Sequence, residues 1–250
     1  MHKAQSHILL SLLVIIASAW GYLIYQHWQM TALPMSEMWM PPSEASEWKS
    51  IDFVLVYLMW AAMMAAMMLP SAIPMILAFL QVAKRHYPAP RNITFLFASS
   101  YLTVWLLFSV GMTLLQWQLH GLQMISPMME TESELVSAVI FLGAGMYQLT
   151  PVKNRFLRFC QSPAGFLLNE WREGAKGAFH MGLKHGGACV GCCWAQMLIT
   201  FAVGVMNLVG MALITLLILV EKVVPSKSLF ICRASGTILM GWGLLRLLMA

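Results

Sequence analysis

Residues 52–81 read DFVLVYLMWAAMMAAMMLPSAIPMILAFLQ, an apolar run whose one charged residue, Asp52, stands at its start. A helix needs about 20 mostly apolar residues to cross the hydrocarbon core of a bilayer, so this run is long enough. A backbone in lipid must satisfy its own hydrogen bonds as a helix or a closed barrel, and runs such as Leu213 to Val220 lack the period-two alternation of barrel strands. The sequence therefore predicts an all-α membrane protein.

The whole chain shares this character. Of its 250 residues 60% are hydrophobic and 10% are charged, whereas a soluble domain carries about 25% charged residues. The first apolar block follows a short head and lacks a convincing small-residue cleavage site, which favours an uncleaved span over a signal peptide. We expect one domain, residues 1–250, folded as a polytopic bundle of about seven transmembrane helices near 8–25, 52–81, 93–118, 134–151, 178–205, 207–224 and 232–249.

The distribution of positive charge predicts an orientation. With the N-terminus inside and the C-terminus outside, all of the 15 basic residues except Lys49 and Arg246 fall in the inner segments. Such a bias follows the positive-inside rule, so the net charge of +5 has a topological use and does not indicate nucleic-acid binding. The basic and apolar stretch 152–177 is expected to lie along the inner membrane surface.

Methionines crowd the second predicted span. There are 22 in the chain, and Met59, Met63, Met64, Met67 and Met68 fall within ten residues, at spacings that place them on adjoining faces of one helix. Methionine is often only an adaptable apolar filler. A stack of thioethers, however, also supplies the soft ligands that suit Cu(I).

The strongest chemical signal lies in the fifth predicted span. Its residues His185, Cys189, Cys192 and Cys193 stand at helical spacings of three and four, and Met197 continues the same face. Thiolate, imidazole and thioether groups together select Cu(I) or Zn²⁺, and the excess of methionine favours copper. His180 is a further candidate ligand, near the inner end of the span.

A packing role remains open for these residues, because free cysteine behaves as a small hydrophobe and Gly186, Gly187 and Gly191 would allow close helix packing. Three cysteines with a histidine at membrane depth nevertheless favour function, since polar groups there are costly. Cys160 and Cys232 stand alone in the sequence, and we interpret them as packing residues.

Two motifs in combination carry a family resemblance: Met63-Met64-Ala-Ala-Met67-Met68-Leu-Pro70-Ser71, and His185-Gly-Gly-Ala-Cys189-Val-Gly-Cys192-Cys193-Trp194. The chain resembles a bacterial family of predicted metal-binding integral membrane proteins from the second span to the last. The resemblance implies metal binding, without naming the metal or the task. We expect the chain to lie in a bacterial inner membrane.

Three hypotheses follow. The first is that Cys189, Cys192, Cys193 and His185 face the methionine stripe (Met63, Met64, Met67 and Met68) around Cu(I), or around zinc as the other metal, for transport or for delivery to a partner protein. The second is an enzyme, a membrane thiol oxidoreductase that uses the C-x-x-C pair Cys189 and Cys192. The third is an accessory subunit of a larger membrane complex. The methionine stripe has no role in the enzyme, so the first hypothesis is preferred.

Overall fold

The computed structural model describes residues 2–32, 34, 39–42, 44–126, 129, 131 and 133–249, and the side chains of His2 and Lys3 lie outside the described part. Across these residues the chain is helical, with short 3₁₀ turns at Ala45–Glu47 and Pro225–Lys227 and one isolated β-bridge between Ile125 and Thr131. The helices in chain order are α1 His2–Ala32, α2 Ser50–His86, α3 Pro90–Gly121, α4 Glu134–Leu149, α5 Pro151–Gln161, α6 Pro163–Glu170, α7 Gly174–Val203, α8 Leu208–Val223 and α9 Ser228–Met249.

Each of the seven predicted spans falls on a different helix, which confirms the all-α fold. By length and apolar composition, α1, α2, α3, α7 and α9 are able to cross a membrane. The two other predicted spans lie on α4 and α8, which have 16 residues each and reach only about 24 Å at 1.5 Å per residue. The chain bends by 66° between α4 and α5, where Thr150 caps the helix that Pro151 begins. The count of seven and the orientation therefore stay predictions.

The most buried helices of the bundle are α2 and α7, and the outermost are α1 and α9. The outer helices carry exposed leucine, isoleucine and tryptophan side chains on their outward faces, as a surface in contact with lipid would. The two helices that hold the methionine stripe and the cysteines are thus the core of the fold.

Helix α2 continues through Pro70 and Pro74. Proline has no N–H group, so Pro70 leaves the carbonyl oxygen of Ala66 without its helical donor. The indole Nε1 of Trp20 in α1 donates to that oxygen at 3.2 Å. This hydrogen bond, next to the proline that ends the methionine stripe, links α1 to α2.

Glycines set the distance between α3 and α7. A Cβ atom at Gly182 would lie 1.9 Å from Ser100 Oγ, and one at Gly186 would lie 2.8 Å from the Val104 side chain. Small residues of this kind let two helix backbones approach closely. Gly186 therefore has the packing role that the sequence predicted. Gly187 does not, because a Cβ atom there would have no neighbour within 4 Å.

Stretch 152–177 forms α5, α6 and the start of α7. One face of α5 is buried against α7 and carries Lys153, Leu157 and Cys160. The sequence counted Lys153 among the basic residues of the inner segments, and its side chain is fully buried beside the carboxylate of Glu221. A position of the stretch along the inner membrane surface stays a prediction.

Candidate metal centre

Four cysteine thiols meet inside the bundle, and we call Cys160, Cys189, Cys192 and Cys193 the sulfur cluster. The three from α7 are each 1% exposed. The Sγ atoms of Cys192 and Cys193 lie 3.0 Å apart, and the Cys192 thiol donates to the carbonyl oxygen of Cys189 at 3.2 Å. Helical spacings of three and four do bring these thiols to one side of α7, as the sequence predicted.

Cys160 is the member of the cluster that sequence reasoning missed. Its Sγ lies 4.0 Å from Cys192 Sγ, and it also contacts the thiol of Cys189. Cys160 does not stand alone as the sequence suggested, because α5 turns back onto α7, and no sequence spacing reveals that turn. Cys232, in contrast, is buried on α9 beside Glu221.

A lysine from α8 reaches the cluster. Lys222 Nζ donates to Cys189 Sγ at 2.9 Å and to Ser71 Oγ of α2 at 3.0 Å. The sequence counted Lys222 among the charges of the inner surface, yet its side chain is only 5% exposed. A buried ammonium group beside thiols stabilises negative charge on sulfur, which is the form that binds metal.

Aromatic rings close another side of the site. The hydroxyl oxygen of Tyr101 lies 3.2 Å from Cys189 Sγ and donates to the carbonyl oxygen of Met68 at 3.3 Å. His185, one turn before Cys189, stacks on the Tyr101 ring at 5.5 Å and meets the edge of Phe166. Its Nδ1 atom is buried and has no hydrogen-bond partner among the described residues. An imidazole nitrogen left free in this way is a candidate metal ligand.

The predicted methionine stripe is wholly buried, with Met63, Met64, Met67 and Met68 at 0% exposure. Its end meets the site through the Met68 carbonyl group and through Ser71, and the ring of Trp60 in α2 lies tilted against that of Phe201 in α7, with centroids 5.1 Å apart. Only the ring contact joins α2 to α7 among these, since the other two reach α3 and α8, so a methionine stripe that faces the cysteines stays a prediction. Along most of its length α2 packs on α1, α3 and α8.

The two outlying candidates on α7 have different surroundings. Met197 is fully buried, one turn beyond Cys193. His180 is exposed and lies nine residues before Cys189, which is about 13 Å along the helix axis. The structure thus brings Met197 near the sulfur cluster and leaves His180 apart from it.

A second polar centre lies beside the first. The carboxylate of Glu221 pairs with Lys153 Nζ at 2.7 Å and also accepts hydrogen bonds from the side-chain amides of Gln148 and Gln196. Gln148 bonds further to Lys153 and to Ser235. This ionic network joins α4, α5, α7, α8 and α9, and both charged partners are at most 1% exposed. The sequence feature that could have revealed this network is the charged pair Glu221-Lys222 at the end of an apolar run.

Within the described residues, no three His, Cys, Asp or Glu side chains are placed to enclose a metal ion together. The thiol of Cys192 contacts those of Cys193 and Cys160. Structural Zn²⁺ sites are four-coordinate and closed, whereas Cu(I) accepts two or three soft sulfur ligands. All five cysteines are free thiols. A soft metal would find these thiols available as ligands.

Fold and site together define a helical protein with a buried, lysine-paired thiol cluster. Residues 57–246 match the PpoB2 family, which is described as a copper chaperone, and the chain belongs to that family. The match runs from α2 into α9 and so includes both the methionine stripe and the sulfur cluster. No curated protein and no solved structure matches the chain. Membership confirms a link to copper, and a copper chaperone implies a partner protein that receives the metal.

Proposed function

We propose that this chain is an integral membrane protein that binds Cu(I) at the sulfur cluster and delivers it to a partner protein. The observation that carries the proposal is the meeting of four buried thiols with Lys222. The membership in a copper chaperone family supports copper as the metal. Helices long and apolar enough to cross a bilayer support the membrane location, with the N-terminus inside by the positive-inside rule.

In this scheme Cu(I) is bound by two thiolates at a time, drawn from Cys189, Cys192 and Cys193, and Cys160 supplies a further thiol from α5. Two thiolates on one Cu(I) leave a net negative charge, and the Lys222 ammonium group 2.9 Å from Cys189 balances it in a dry interior. The free Nδ1 of His185 is a candidate additional ligand. The buried methionines of α2 offer weaker thioether positions from which copper moves to the thiols.

Delivery follows from having more thiols than Cu(I) requires. A soft ligand of the partner is able to enter the coordination sphere while a cysteine of the cluster leaves, so copper is never released free into the membrane. This exchange needs no change in the oxidation state of copper or sulfur. Only metal–sulfur bonds form and break.

The test uses the full chain purified in mild detergent under reducing, oxygen-free conditions and loaded with Cu(I). Elemental analysis and X-ray absorption at the copper edge report the amount of metal and its sulfur neighbours. We expect stoichiometric copper bound by sulfur in the wild type and its loss in the triple variant C189S/C192S/C193S. The matched control C232S changes a buried cysteine outside the cluster and is expected to retain copper.

Equal copper content in the wild type and the triple variant would sink the assignment of the site. The thiol oxidoreductase hypothesis makes a different prediction, because it requires a disulfide between Cys189 and Cys192 that exchanges with a partner. Mass spectrometry after thiol trapping distinguishes the two. A chain that binds no metal and forms no such disulfide, but assembles into a complex, would be an accessory subunit.

A further inference from the structure

A pair of arginines on the exposed face of α5 lies in a groove between α5 and α6. The groove has a volume of about 350 Å³ and is lined in part by Arg155, Arg158, Ser162 and Asn169. Both arginines are exposed, and within the described residues neither guanidinium group takes part in a salt bridge. Glu170 also lines the groove, but its carboxylate is paired with Lys184 Nζ at 2.6 Å. The groove therefore has excess positive charge.

A second groove of about 380 Å³ lies beside the first, and Arg155 and Phe159 line both. Its other walls are Val152, Phe156 and Ala188, together with Lys184, whose ammonium group is paired with Glu170. Ala188 belongs to α7, one of the helices able to cross a membrane. A cationic groove thus lies next to a largely apolar groove on a candidate membrane span.

We infer that these two grooves bind one phospholipid with an anionic headgroup. The phosphate would be held by Arg155 and Arg158, and an acyl chain would lie against Phe156, Phe159 and Ala188. Guanidinium groups match phosphate oxygens in a two-pronged geometry, and basic pockets beside membrane helices are recognised sites for anionic lipid headgroups. An acidic soluble protein would match the arginines but would leave the apolar groove without an occupant.

The lipid site lies on the outer face of the helix that carries Cys160 and Lys153 on its inner face. A phospholipid held there would hold α5 against α7, and so would help to keep Cys160 beside Cys192. This inference rests on the membrane location in the proposed function, but it does not require copper.

The experiment is native mass spectrometry of the full chain in neutral detergent, titrated with phosphatidylglycerol or with phosphatidylcholine of the same acyl chains. The test variant is R155Q/R158Q. The matched control is R172Q/K176Q, which removes the same charge from exposed residues outside both grooves. We expect the wild type and the control to prefer phosphatidylglycerol, and the test variant to bind it weaker by on the order of tenfold.

Equal binding of phosphatidylglycerol by the two double variants, or no preference for it over phosphatidylcholine in the wild type, would overturn the lipid site. Displacement of the lipid by millimolar inorganic phosphate alone would also overturn it, since the groove would then be a site for free phosphate. Copper content is measured on the same samples. Loss of lipid binding in R155Q/R158Q with copper retained supports the lipid site. Loss of copper in the cysteine variants tests the proposed function and has no bearing on the lipid site.

Discussion

Two neighbouring residues of α8 enter two very different environments. Consecutive helical side chains point about 100° apart, so Glu221 faces the ionic network and Lys222 faces the sulfur cluster. Each carboxylate oxygen of Glu221 accepts hydrogen bonds from strong donors. Lys222 instead donates to a thiol and a hydroxyl group, near an imidazole nitrogen that lacks a partner. The Glu221 carboxylate is therefore fully bonded and holds several helices together, although the neighbouring Gln196 Oε1 has no hydrogen-bond partner among the described residues. The sulfur cluster, with its thiols and the free Nδ1 of His185, has ligand capacity left over.

The largest expected effect is on stability, and it tests the structural side of this comparison. Lys153→Met leaves the Glu221 carboxylate buried without its ion-pair partner, which costs about 3–5 kcal/mol. Thermal unfolding in detergent should show a greatly lowered midpoint. The double variant K153M/E221Q removes both charges and should recover most of the loss. An unchanged midpoint in K153M would mean that the ionic network does not hold the bundle.

The second effect concerns the packing that brings α3 to the sulfur cluster. Gly186→Ala places a Cβ atom 2.8 Å from Val104 and 3.2 Å from the carbonyl oxygen of Tyr101, and such overpacking costs about 1–3 kcal/mol. The matched control is G187A, where a Cβ atom has no neighbour within 4 Å. Unfolding curves should separate the two, with G187A close to the wild type. Similar curves for both variants would show that α3 and α7 are not held at this distance.

The third effect should appear in copper affinity and leave stability nearly unchanged. Lys222→Met removes the charge that balances the thiolates, and we expect Cu(I) affinity to fall by about tenfold, equivalent to about 1.4 kcal/mol. Competition against a coloured Cu(I) chelator measures it. Lys222→Arg keeps the charge and should recover part of the affinity. If K222M destabilises the fold as much as K153M, the contrast between the two centres fails.

The smallest effect is a change in coordination. Cys160→Ser removes one thiol of the cluster while the three of α7 remain, so copper should still bind. We expect a lower average number of sulfur neighbours from X-ray absorption and an affinity reduced less than in K222M. C232S is again the control and should match the wild type in both measurements. The same sulfur count in C160S and wild type would remove Cys160 from the ligand set.

The sequence predicted the parts of this molecule that depend on local periodicity. Apolar runs located the seven helices α1, α2, α3, α4, α7, α8 and α9, and helical spacing placed Cys189, Cys192 and Cys193 on one side of α7. What it missed depends on tertiary structure: the turn of α5 that buries Cys160, and the partners that allow Lys153 and Lys222 to be buried. Basic residues at the end of an apolar run look the same in sequence whether they face water or a buried acceptor.

Most of α1 is exposed, yet its Trp20 donates a hydrogen bond to the carbonyl oxygen of Ala66 in the buried helix α2. A peptide oxygen left without a donor in a buried apolar setting costs about 1–3 kcal/mol. Helix α1 therefore has a structural role: its indole group completes the hydrogen bonding of a neighbouring helix at the position where proline interrupts it. Removing α1 would leave the Ala66 carbonyl oxygen without a donor, next to the methionines of α2. A chain shortened in this way is therefore expected to be less stable than the full chain.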